Sequence, residues 1–160
     1  LCRIINFQKN KWNTNDQCEF VINIGIYFEK DNCISNRKFK EYNCQIRSRV
    51  DNRKWAGVEW WQLDNSTDLE ELLQDLKPVF LYIDEWFSHF SSKETVIRMI
   101  LDRTAEKYSD KNIMHFYTAK LLVEMGYESE IYELIKDTKN TNPSATMLIE
   151  LAEQIQNNNS

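Results

Sequence analysis

Seven polar side chains recur at alternate positions within apolar stretches of this sequence: Asn6 and Gln8, Asn23 and Tyr27, and Gln45, Arg47 and Arg49. A side-chain amide offers two donors and an acceptor, and a guanidinium offers five donors in a rigid fork. Gathered on one surface, these groups can bind a carboxylate, a phosphate or a flat polar ligand through forked hydrogen bonds, with Trp60 or Trp61 stacking at the margin. The competing reading is a sheet face whose amides and arginines satisfy one another, since antiparallel sheets commonly carry one polar face. A second grouping, Arg47, Arg49, Arg53 and Lys54 near Trp55, Trp60 and Trp61, mixes cations with rings in the manner that suits single-stranded nucleic acid. A sequence pI near 5.1 weighs against nucleic acid as the partner.

Other candidates for chemistry are thin. The two histidines, His89 and His115, fall on apolar helical patterns, where packing is the commoner role. Glu85 and His89 stand one helical turn apart, and no second pair completes a metal shell around them. Cys2, Cys18, Cys33 and Cys44 lie at irregular spacing without a C-x-x-C pair, so structural zinc is not expected. They read as buried or partly buried free thiols in a reducing cytoplasm, with a disulfide left open. Cys44 falls on the apolar face of its predicted strand, where a thiol stays protonated and makes a poor nucleophile. No Gly-rich phosphate loop, nucleophile elbow or H-E-x-x-H word occurs. No catalytic residue, metal or cofactor is assigned. Trp12 and Trp55, by contrast, sit in polar loops without an evident burial partner, and exposed tryptophans are enriched at binding hot spots. They predict a partner-binding surface built from loops at one end of a sheet.

These residues must be positioned by strands. In Glu19–Phe28 the residues Phe20, Ile22, Ile24, Ile26 and Phe28 alternate with smaller or more polar ones, the period of a strand packed on one face. Strands are predicted at about 2–9, 19–28, 42–50 and 58–63, with Cys44, Ile46, Ser48 and Val50 sharing one face of the third. Polar connections without crossover helices predict an antiparallel meander. After Asp64 the period becomes helical. Thr67 and Glu70 fit a capping box, and Leu69, Leu72, Leu73 and Leu76 form an inward stripe on a helix expected to stop before Pro78. Further helices are expected over 79–90, 93–107 (capped by Ser91 and Glu94), 110–125 (ended by Gly126), 128–137, and from Pro143 to about Gln156.

With 42% hydrophobic and 28% charged residues, three glycines and two prolines, the chain has the composition of an ordered globular protein. Residues 1–58 carry eleven Lys and Arg against six Asp and Glu; residues 59–160 carry nine against nineteen. A basic sheet half thus precedes an acidic helical half, which can complement each other or leave a basic face for an acidic partner. The longest apolar run, Pro78–Ile83, is far short of the ~20 residues that span a bilayer. The chain begins at Leu1 rather than Met, and an upstream segment is expected. The predicted class is α+β: an antiparallel sheet of four or more strands packed on helices over residues 1–107, then a three-helix extension over 108–160 packed on the same domain.

Taken in order, I-N-F-Q-K at Ile5–Lys9, F-V-I-N-I-G-I at Phe20–Ile26, C-Q-I-R-S-R-V at Cys44–Val50 and W-W at Trp60–Trp61 resemble the bacterial domain-of-unknown-function family numbered 4304 over roughly Leu1–Phe90. The resemblance implies a single antiparallel sheet packed on helices, with a helix and a strand ahead of the I-N-F-Q word. It implies no activity and no site residues. The expected function is a non-enzymatic, cytoplasmic protein-interaction module of the immunity or accessory kind, with another protein as partner. The alternative is a small-ligand binder or enzyme using Gln45, Arg47 and Arg49.

Overall fold

Ile22, Ile24 and Ile26 are fully buried in the computed structural model, which describes residues 1–28, 41–111, 113, 116–135, 150, 153 and 157. They lie on β2 (Gln17–Tyr27), the strand on which every other strand pairs. β1 (Cys2–Lys9) runs antiparallel along one edge, from Cys2 opposite Tyr27 to Lys9 opposite Phe20. β3 (Ile46–Val50) takes the other edge, with Val50 opposite Ile22 and Ile46 opposite Ile26. β4 (Trp61–Asp64) pairs with the start of β2, Gln17 to Phe20. Because Phe20 faces both Lys9 and Trp61, β4 shares the β3 edge, and the two strands lie end to end.

That arrangement corrects the expected meander, in which β4 would pair with β3. Between them α1 (Arg53–Ala56), closed by Gly57 at a left-handed φ of 73°, turns the chain back toward the start of β2. The third strand is also shorter than predicted. A 3-10 turn at Glu41–Asn43 occupies its expected opening.

α2 (Leu69–Ser88) runs straight through Pro78, where a break was predicted. A proline removes one ladder hydrogen bond and crowds the preceding turn, at a cost of about 3 kcal/mol in a helix interior. Here Pro78 and Gln74 both lie on the exposed face, so water can solvate the orphaned carbonyl while Leu76, Val79, Ile83, Trp86 and Phe87 stay buried. The helix start differs as well. Asp68 is the N-cap, its carboxylate accepting from the Glu70 and Glu71 amides at 2.8 and 3.2 Å. Thr67 Oγ1 instead accepts from the Asp64 amide at 2.8 Å. α3 (Lys93–Leu101) is capped by Ser92, one residue later than predicted, and ends six residues early. Arg103 then takes a left-handed φ of 63° and starts a 3-10 turn at Thr104–Tyr108.

α4 (Phe116–Glu124) stops before Gly126, which adopts the expected left-handed conformation at φ 80°, and α5 (Glu128–Ile135) follows. The predicted last helix lies outside the described residues except at three isolated positions. Ile113 and side chains of α4 and α5, including Leu122 and Ile131, join one apolar cluster with the β2 isoleucines, Ile46, Val50 and the inner faces of α2 and α3. Burying each such side chain is worth roughly 1.5–3 kcal/mol. The fold is α+β, a four-stranded antiparallel sheet with helices against one face.

Candidate functional site

Of the seven polar residues singled out from the sequence, register puts Asn6, Gln8, Asn23, Tyr27, Arg47 and Arg49 on one sheet face, while Gln45 precedes β3. Register places Asn6 opposite Asn23 and Asn23 opposite Arg49, while Ile4, Gly25 and Arg47 form the next row of the same face. This face points away from the apolar cluster, because strand neighbours alternate sides. Asn23 is buried and donates from Nδ2 to Gln8 Oε1 at 2.9 Å. Arg49 reaches across all three strands: Nε donates to Asn23 Oδ1 at 3.4 Å, Nη2 to Gln8 Oε1 at 3.3 Å and Nη1 to Glu59 Oε1 at 3.0 Å. Its guanidinium is thereby held by two amides and a carboxylate. At 29% and 42% side-chain exposure, the Arg49–Glu59 ion pair is a surface pair, worth at most about 1 kcal/mol. The network fixes geometry more than it adds stability.

Gln45 also has a structural task. It is buried, and its Oε1 accepts from the Phe28 amide at 2.9 Å, satisfying the backbone where β2 ends. Asn6 and Tyr27 each have partners. Arg47 is the exception: its Nε is buried and has no hydrogen-bond partner, whereas its carbonyl lies 2.8 Å from Ser109 Oγ, a hydroxyl able to donate to it. Cys44 belongs to this face too, contrary to its predicted place among the apolar residues. It precedes β3, and its Sγ sits over Gly25 where a side chain would otherwise project.

The tryptophans do not join this network. Trp61 is buried on the opposite, helix-covered face and stacks on Phe20 with ring centroids 5.6 Å apart. Trp55, read as lacking a burial partner, packs from α1 against Trp61 at 6.1 Å and edge-on against Tyr82 at 6.0 Å. Lys54 Nζ lies 3.8 Å from the Tyr82 ring centroid, and Arg53 pairs with Asp51. Arg53 holds the Asp51 carboxyl below the usual carboxylate range, chiefly through their side-chain hydrogen bond. The cations and rings of the nucleic-acid grouping are thus divided between two faces of the sheet and a short helix.

Trp12 stands apart, 76% exposed at the tip of the β1–β2 connection. That loop is closely braced. Asn13 Nδ2 donates to the Glu19 carbonyl at 3.0 Å, Asn13 Oδ1 accepts from the Glu19 amide at 2.8 Å, and Thr14 Oγ1 accepts from the Asp16 and Gln17 amides. Asn10 Oδ1 accepts from the Trp12 amide at 3.1 Å, and Lys11 Nζ lies 4.8 Å from the indole centroid.

Sequence reasoning missed an apolar margin on the helix-covered side: Ile5, Phe7, Leu69, Leu73 and Phe80 are between 40% and 68% exposed. Leu69 and Leu73 were predicted inward. The signal was present in the mixed pattern of β1 and in the continuation of the α2 stripe past the residues that are buried. Among the described residues, no three of His, Cys, Asp and Glu are placed to hold a metal, and no helix is long and apolar enough to cross a membrane. His89 is exposed and faces the Tyr108 ring at 4.5 Å, while His115 and Cys33 lie outside the described residues; Cys2, Cys18 and Cys44 are free thiols.

The fold and site therefore define an α+β protein with an internally bonded polar sheet face and a braced, tryptophan-bearing loop at one end of the sheet. Residues 1–89 match the model of the family described as Domain of unknown function (DUF4304), and the chain belongs to that family. The match spans β1 through α2. Comparison with curated proteins and with solved structures finds no match.

Proposed function

We propose that the chain is a protein-interaction module, of the immunity or accessory kind expected from the sequence and acting in a bacterial cytoplasm, whose contact surface centres on Trp12. The supporting observation is an indole 76% exposed on a loop whose backbone is pinned by Asn10, Asn13 and Thr14. A rigid aromatic anchor loses little conformational entropy on binding, which is what distinguishes a hot spot from a merely exposed ring. The basic loop residue Lys11 beside it favours an acidic partner. The test is capture from host lysate with wild type, Trp12→Ala and Arg47→Glu. A stoichiometric partner retained by Arg47→Glu and lost in Trp12→Ala supports this reading; equal capture by all three refutes the placement at Trp12.

The buried, unpartnered Nε of Arg47 favours a second reading, in which a small carboxylate or phosphate binds at Gln45, Arg47 and Arg49. Thermal-shift titration with acetate and inorganic phosphate tests it. A saturable rise in midpoint that disappears in Arg47→Met is expected on that reading.

A further inference from the structure

α3 and the turn between α4 and α5 border an open hollow of about 500 Å³, a size common among small-molecule sites. One wall is α3 with its C-cap: Glu94, Ile97, Arg98, Leu101 and Asp102 are spaced i, i+3, i+4, i+7 and i+8, which is one face of a helix. Met125 and Tyr127 form the facing wall, and none of these residues lies on β1 or α2. Gly126 stands between the two at φ 80°, and the Tyr127 amide donates to the Leu122 carbonyl at 2.8 Å. The backbone that carries this wall is thereby pinned. Ile97 is buried, Leu101 and Tyr127 pack against the core, and Met125 is 41% exposed. The floor is therefore apolar and fixed, and the thioether of Met125 gives it one adaptable side.

The polar groups around the hollow divide into engaged and unengaged ones. Asp102 accepts from the Thr104 amide at 2.9 Å and from the Thr104 hydroxyl, which starts the 3-10 turn. Glu94 is held by its own backbone amide and the Ser92 hydroxyl at the start of α3. Arg98, exposed between them, makes no hydrogen bond or ion pair with a described residue, and neither does the Tyr127 hydroxyl. The two acceptors are thus engaged, and a guanidinium fork and a phenol are left as donors above an apolar floor. A carboxylate with an apolar body matches that combination. Glu94 and Asp102 stand one helical turn to either side of Arg98, so they repel a ligand that carries a second negative charge. We infer that the hollow binds an apolar monocarboxylate, with the carboxylate on Arg98 and Tyr127 and the chain along Ile97, Leu101 and Met125. This goes beyond the proposed function, since neither Trp12 nor Arg47 takes part.

The test is isothermal titration of the full 160-residue chain with octanoate below its micelle-forming concentration. Octan-1-ol and suberate serve as neutral and doubly charged counterparts of the same length. Octanoate is expected to bind saturably, and the two counterparts roughly tenfold or more weakly. Arg98→Met is expected to weaken octanoate by about tenfold and Tyr127→Phe by about threefold. Arg98 is exposed and Met keeps much of its stem, so circular dichroism and Tm should match wild type in that variant. Arg47→Met, which removes the anion site of the second reading above, is expected to leave the affinity unchanged. Wild type that takes up no octanoate overturns the proposal, as does octan-1-ol or suberate binding as tightly, or Arg98→Met binding as tightly as wild type. Octanoate binding that is lost in Arg47→Met and kept in Arg98→Met assigns the ligand to the sheet face and overturns it equally.

Discussion

A Cβ placed on Gly25 would lie 2.5 Å from Cys44 Sγ and 2.8 Å from Cys44 Cβ, closer than real side chains approach. Gly25→Ala therefore forces the chain ahead of β3 away from the sheet, and overpacking of this kind costs about 1–3 kcal/mol. The measurement is the urea midpoint. Adding Cys44→Ala should recover only part of the loss, since the Cβ conflict remains; full recovery would mean the sulfur alone sets the spacing. Gln45 makes the complementary case. Gln45→Leu keeps the volume but strands the buried Phe28 amide, a loss of about 1–3 kcal/mol that Gln45→Glu, which retains an acceptor, should reduce. At this scale the sequence revealed that Asn6, Gln8, Asn23, Tyr27, Arg47 and Arg49 share a face, because alternation along a strand depends only on counting. It did not reveal that Cys44 joins them: that follows from the bend before β3 and the space above a glycine, which are tertiary facts. Trp55 was opaque for the same reason, since its partners Trp61 and Tyr82 come from a later strand and a helix.

Pro78 makes the corresponding case among the elements. Periodicity alone carries apolar positions through Leu76, Val79 and Ile83, and the proline was given too much weight as a stop signal. Tertiary packing overrides local propensity here because one face of α2 is anchored to the sheet on both sides of Pro78 while the proline itself meets water. Restoring the missing hydrogen bond with Pro78→Ala is accordingly expected to raise stability by about 1–3 kcal/mol, read as a higher thermal midpoint. A lower midpoint would show that proline's restriction of the unfolded chain outweighs the lost bond. Strand positions were legible to within a few residues from alternation, but strand order was not. The return of β4 to β2 depends on α1, a four-residue helix too short to leave a period. The inward direction of Leu69 and Leu73 failed similarly: a stripe identifies an apolar side of a helix without saying how far the sheet beneath it extends. β1 is the sheet's last described strand on that side, and the stripe runs past it.

Across the whole molecule, several carboxylates are tied to local donors in the folded state and released on unfolding. Asp51 is held below its ordinary value by the hydrogen bond from Arg53, Asp64 by the Ser66 hydroxyl, Asp102 by the Thr104 hydroxyl and Glu94 by its own backbone amide and Ser92. Because the folded state binds these protons more weakly than the unfolded chain, their contribution is complete above the ordinary carboxylate range and is lost as pH falls through the lowered values. The thermal midpoint should therefore be nearly level from neutrality to about pH 5 and fall steeply below it. Charge reinforces the drop. The formal net charge is -5 at pH 7 with 25 Asp and Glu against 20 Lys and Arg, so acid strips the negative partners and leaves a mutually repelling cationic chain. Asp51→Asn separates the two effects: removing one tied carboxylate should lower the neutral plateau and make the acid slope shallower. An acid slope unchanged in that variant would assign the fall to general repulsion.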